Sequence, residues 1–189
     1  MAHDAGVTLP SFATLTSLPA VEHPELVAAP VAAALAGWPG AAGIAVVDID
    51  PDLADTAALT EAYSLPLEAS VNCVLVAGSR GGEERIAACL VAADTRADVN
   101  TVVRKLLDVR KASFLPMDRA VAESGMEYGG ITPIGLPAAW RVLVDAAVLA
   151  VPAAMIGSGV RRSKIILPGS ALGDLPGAEV VEGLGRPTG

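Results

Sequence analysis

At 189 residues, 52% of them hydrophobic but only 3% aromatic, the chain is long enough for one domain whose core must be packed by Val, Leu, Ile and Ala. So apolar a composition excludes a disordered chain, and two cysteines are too few for a disulfide framework. The net charge of −8 is uneven: residues 1–79 hold nine acids and no Lys or Arg, residues 80–189 twelve acids and thirteen Lys or Arg, so an anionic partner is expected on the second part.

Residues 1–20 read as a poorly ordered leader, and residues 23–35 have helical composition that stops at Gly37-Trp38-Pro39-Gly40. The expected organisation is residues 1–40 as N-terminal leader and helix, and residues 41–185 as the main domain. There, residues 43–49 form a short β-branched run, residues 55–63 a helix, and residues 71–77 and 85–93 two strands around the turn Gly78-Ser79-Arg80-Gly81-Gly82. Cys73 and Cys89 lie inside these apolar runs and read as buried thiols. Asp98 can cap a helix over 99–107, and Pro116 opens another that stops at Gly125. Strands follow at 142–144, 153–156 and 164–167, then a helical turn at 170–175 and a strand at 178–181. Strands outnumber the helices that could cross between them, which predicts an α/β fold on a mixed sheet rather than a doubly wound one.

The longest uncharged apolar run, 146–156, is 11 residues and contains Pro152. A bilayer span needs about 20. The first Lys or Arg is Arg80, so the basic start of a secretory leader is missing. A cytoplasmic protein with no membrane partner is expected.

Several chemistries lack their residues. His3 and His23, the only histidines, lie before the main domain, which leaves Ser-His-Asp and Cys-His catalysis without a base there and zinc without ligands. No phosphate-binding Gly-x-x-x-x-Gly-Lys-Ser/Thr sequence occurs, and Gly157-Ser158-Gly159 continues as Val160-Arg161-Arg162, not as a dinucleotide fingerprint. An enzyme with this sequence is expected to work by positioning, backbone donors and polarised water, with no metal or organic cofactor. Two basic clusters, Arg104-Lys105 with Arg110-Lys111 and Arg161-Arg162 with Lys164, read first as a solvated helix face and a solvated turn, with phosphate binding as the alternative.

Four glycines and a proline crowd into residues 125–135, Gly125-Met126-Glu127-Tyr128-Gly129-Gly130-Ile131-Thr132-Pro133-Ile134-Gly135. Such a loop lets backbone come close to a neighbour. Followed by Leu143-Val144-Asp145, Ile156-Gly157-Ser158-Gly159-Val160-Arg161 and Leu167-Pro168-Gly169-Ser170-Ala171-Leu172, it resembles the YbaK family of aminoacyl-tRNA editing domains, which includes free-standing deacylases and a domain inserted in many bacterial prolyl-tRNA synthetases. The resemblance covers about residues 44–183.

The resemblance implies a mixed, mostly antiparallel β-sheet or barrel surrounded by helices. It implies a trans-acting deacylase that hydrolyses the aminoacyl ester of mischarged tRNA, with that tRNA as partner and an aminoacyl-tRNA synthetase as a second. The alternative is a non-catalytic module that binds an aminoacyl or acyl ligand, tRNA or a synthetase. By family position, Gly130 and Pro133, flanked by Gly129 and Thr132, would present backbone to the acyl group. Ser158, Gly159 and Arg161 correspond to a second, Gly-Gly-Lys-Arg-Gly type of loop, and Asp145 to a strand-end aspartate that caps a turn or orients a water. Where family members carry a pocket lysine, this chain reads Val71-Asn72-Cys73, so Asn72 would serve as a neutral donor.

Overall fold

The computed structural model describes residues 8–188. His3 and the first part of the expected leader lie outside the described residues. In chain order the elements are β1 (Leu18–Pro19), α1 (Ala29–Gly37), β2 (Ala45–Asp48), α2 (Thr56–Ala62), β3 (Val71–Arg80), β4 (Glu83–Ala92), β5 (Thr95–Ala97), α3 (Arg104–Leu106), β6 (Ala112–Phe114), α4 (Met117–Ser124), β7 (Arg141–Asp145), β8 (Ala154–Gly157), β9 (Ser163–Leu167), α5 (Gly169–Gly173), β10 (Ala178–Val181) and β11 (Gly185–Pro187).

The strands form a five-stranded sheet, β10-β7-β4-β3-β6, a four-stranded sheet, β1-β2-β9-β8, and the small pair β11-β5. The fold is mixed α/β, as expected: β7 runs parallel to β4 and β10, and the other ladders are antiparallel. β3 and β4 make the longest ladder because Gly81 and Gly82, both at positive φ, close a two-residue turn whose twist matches the strands it joins. An isolated parallel bridge between Ser70 and Met155 joins the start of β3 to β8, so the two large sheets meet there and diverge on either side.

The main core lies between the sheets and is built, as the composition requires, from aliphatic residues such as Val31, Leu35, Ile44, Leu90, Val144, Ile156, Ile165 and Leu167. Val31 and Leu35 come from α1, so the segment ahead of the main strands is packed into that core. A second cluster sits under residues 99–107 against the other face of β3 and β4, with Val76, Cys89, Val91 and Val103.

The structure departs from the expected elements at the ends and in the short segments. Residues 18–20 are not loose: Leu18 and Pro19 pair with Val46 and Ala45, and Ala20 is buried. Residues 23–35 are not one helix, because Pro24 and Pro30 each restart the backbone; a 3-10 turn at Pro24–Leu26 precedes α1, whose first turn holds Pro30. Over 99–107 the first turn is wide, a π-type turn at Val99–Val103 under the Asp98 cap, before α3. Strands β1, β5, β6 and β11 are too short to announce themselves by alternation. Among the described residues no helix is long and apolar enough to cross a membrane.

Candidate active site

Where β8 leaves the bridge to β3, a cavity of about 320 Å³ opens at the junction of the two sheets. One wall is the half-buried start of β3, with Asn72, Cys73 and Val74; a second is the first turn of α2, with Asp55 and Thr56. The glycine loop adds Tyr128, Gly129 and Ile131, and the floor is Met155, Gly157 and Lys164 from β8 and β9. β6 pairs with β3 only over Val76–Gly78 and Leu115 N–H donates to Leu75 C=O, so among the described residues that edge of β3 has no ladder partner over Asn72–Val74. The cavity occupies this gap.

Lys164, which the sequence groups with Arg161 and Arg162 in a basic cluster, belongs to the cavity floor. It lies on β9 between Val47 and Gly157 on the neighbouring strands, is only 7% exposed, and reaches into the cavity. Among the described residues it makes no ion pair; its one acceptor is the Gly129 carbonyl, 3.4 Å from Nζ. Burial, then the Arg161 charge, pull its pKa from 10.5 down to about 8, against a smaller opposing pull from Asp55. At neutral pH it is therefore still mostly an ammonium. The signal in the sequence was a lysine inside an otherwise apolar strand, Lys164-Ile165-Ile166-Leu167, which the reading instead grouped with the arginines before it.

Asn72 faces Lys164 from the other wall, and its Oδ1 accepts from the Thr56 hydroxyl at 3.2 Å. Cys73 is beside it, but burial pushes its thiol pKa up, and that of Cys89 to about 12, so neither is poised as a thiolate. Arg161 stands on the rim as a clamp. Its guanidinium donates to the Pro51 carbonyl at 3.1 and 3.2 Å and to the Asp55 carboxylate and Tyr128 carbonyl, each at 3.4 Å.

The other residues singled out from the sequence serve the walls. Gly129 lines the cavity, whereas Gly130 is turned from it: its N–H donates to the Glu127 carbonyl at 3.0 Å, and its carbonyl accepts from Gly159 N–H at 2.7 Å. A Cβ at Gly130 would lie 2.7 Å from the Val160 carbonyl, and one at Gly157 would meet the carbonyls of Gly130 and Ile131. The close backbone approach that the glycines announce is thus between the two loops. Gly159 continues that seam, its carbonyl accepting from Glu127 N–H at 2.8 Å, and Ser158 is buried with its hydroxyl bonded to Ser163.

Thr132 is fully buried, its hydroxyl without a partner among the described residues, and Pro133 lines a separate groove beside Trp140. Asp145 lies outside the cavity: its carboxylate accepts from Ala147 N–H at 3.4 Å and Gly185 N–H at 2.8 Å, capping the turn after β7 and tying down β11. Of the nine residues, Asn72 and Gly129 line the cavity and Arg161 stands at its rim; Gly130, Ser158 and Gly159 hold the two loops together, and Thr132, Pro133 and Asp145 are not among the lining residues. No group of three His, Cys, Asp or Glu that could hold a metal occurs among the described residues.

A family model described as an aminoacyl-tRNA editing domain matches residues 50–175, a span that includes every cavity residue named above. No curated protein matches the chain. Among solved structures, a protein described as a candidate trans-editing enzyme for prolyl tRNA synthetase is similar at 20% identity and TM-score 0.69, over 81% of this chain and 93% of that one. A scaffold protein carrying a computationally grafted epitope is similar at 21% identity and TM-score 0.69, over 82% and 95%. At these identities the likeness is one of fold.

Proposed function

Because the chain belongs to the family of aminoacyl-tRNA editing domains, we propose that its cavity hydrolyses the ester that joins a wrong amino acid to the 3′ end of tRNA. The protein would act in trans, as quality control in the compartment where tRNA is charged. The observation that supports this most is Lys164, a buried ammonium without a carboxylate, placed across a small cavity from Asn72.

Such a cation is suited to the charge that develops on a carbonyl oxygen. Water adds to the ester carbonyl carbon, negative charge gathers on the carbonyl oxygen, and the C–O bond to the ribose breaks. The ribose oxygen leaves with the bonding pair and takes a proton, giving free amino acid and tRNA with its terminal hydroxyl restored. Lys164 stabilises the oxyanion, which in a poorly solvated site is worth more than the same contact in water. The amide of Asn72, held by Thr56, and the carbonyl of Gly129 orient the acyl group and the water. The ester is already activated, so positioning and one charge suffice without a covalent intermediate.

The test is to incubate the protein with a panel of mischarged tRNAs and measure free amino acid. Release above the buffer rate for at least one pair is the expected result. Tight binding of every tRNA without release would make the protein a binding module instead, and neither binding nor release would remove the proposal.

A further inference from the structure

A second hollow, of about 670 Å³, adjoins the first and shares two wall residues with it, Asn72 and Val74. Its floor is apolar, with Val74, Val91 and Val99, and its rim carries Asn100, Ser113 and Phe114. Phe114 is 65% exposed, the most exposed of the large hydrophobic side chains among the described residues. The ladder fixes where it points. Phe114 pairs with Val76, so it stands on the same face of the sheet as Val76, Val74 and Asn72. Four residues along a strand are about 13 Å, so Phe114 lies about that far from Asn72 and one side-chain repeat beyond Val74, the last β3 residue of the cavity, on the same surface.

The charges of this hollow are Arg96 and Arg186 against Asp98 alone. Asp98 is occupied by Arg186, at 2.5 Å, and by the N–H of Thr101, while Arg96 makes no ion pair among the described residues. In a protein of net charge −8 this is a local positive surplus on a path that starts at the acyl cavity. A planar apolar ring, two neutral hydrogen-bonding side chains and a spare guanidinium together match a base, its edge and a phosphate.

From this continuity we infer that the second hollow is the subsite for the terminal adenosine of tRNA, with the base stacked on Phe114 and Arg96 at the adjoining phosphate. The inference rests on the proposed deacylase reading, since that reading places the ester in the adjoining cavity. The ribose then spans Asn72 and Val74, where the edge of β3 is open. Stacking of a base on an aromatic ring contributes on the order of 1–3 kcal/mol, about 5- to 150-fold in affinity.

The experiment uses the full chain and the trinucleotide CpCpA with 2-aminopurine in place of the terminal adenine. Binding to the unaltered protein is expected to quench the fluorescence, Phe114→Ala to weaken binding 5-fold or more with the quench lost, and Phe114→Tyr to restore both. No quench with the unaltered protein, or equal quench with Phe114→Ala, overturns the inference, and neither outcome depends on hydrolysis. In parallel, Phe114→Ala should raise KM for a mischarged tRNA while leaving kcat and the hydrolysis of a base-free aminoacyl methyl ester unchanged. Equal losses on both substrates would show a structural role and also overturn it. Absence of hydrolysis by the unaltered protein would sink the deacylase reading, with the fluorescence arm still deciding the subsite.

Discussion

Lys164 and Asn72 show how differently two residues of one cavity can be read from a sequence. Asn72 stood out because the family resemblance assigns a lysine there. Lys164 was hidden because its meaning depends on β9 being buried between β2 and β8, which no local pattern states. The price of that burial predicts behaviour. Below pH 8 the ammonium is charged in both folded and unfolded chains, and the fold bears the full desolvation penalty. Between about 8 and 10.5 the unfolded chain binds more protons, so stability rises with pH as the penalty is relieved. Lys164→Met is therefore expected to stabilise the fold at pH 7 by up to about 3 kcal/mol, with the gain shrinking towards pH 10.5, as read from urea midpoints at several pH values. Activity should move the other way. If the charged form is the working one, deacylation corrected for buffer hydrolysis is level below pH 8 and falls about tenfold per unit above it. Burial sets this value first, and the charges of Arg161 and Asp55 adjust it in opposite directions; the flanking strands present only Val47 and Gly157.

At the scale of elements, most of the fold was legible. The apolar runs of β3 and β4 and the Pro116 and Gly125 boundaries of α4 are local signals; α4 stands where the sequence puts it, while the two strands run on through Gly78–Arg80 and from Glu83, which leaves only Gly81 and Gly82 of the expected turn to close the hairpin. The site was legible only in part, because a glycine reports that something comes close without saying what. At Gly130 and Gly157 the neighbour is the facing loop, whose backbone hydrogen bonds hold Tyr128 and Gly129 at the cavity. Asp145 likewise looked chemical from its place at a strand end, and it is a cap. Gly130→Ala should separate the two loops, costing about 1–3 kcal/mol of stability and a larger share of activity than of fold. A lowered denaturation midpoint together with a raised KM would bear this out. An unchanged KM would mean that the seam does not position the cavity wall.

For the molecule as a whole, the uneven charge decides how a polyanion can dock on an acidic protein. The hollow beside α3 is lined by Arg80, Arg104, Lys105 and Arg110 against Asp108, and α3 begins a few residues beyond Asn100, on the rim of the groove that adjoins the cavity. Replacing Arg104 and Lys105 with Ala should weaken binding of whole tRNA and flatten its salt dependence by about one to two counterions, while hydrolysis of an aminoacyl methyl ester is unchanged. Equal effects on both substrates would place these residues in the fold's support instead. The most direct measurement of the central claim is single-turnover deacylation of a mischarged tRNA by the unaltered protein and Lys164→Met side by side at pH 7. The predicted result is hydrolysis by the first and a rate about 10²- to 10³-fold lower for the second, with tRNA binding retained. Equal rates for the two proteins, or no hydrolysis by either, would contradict it.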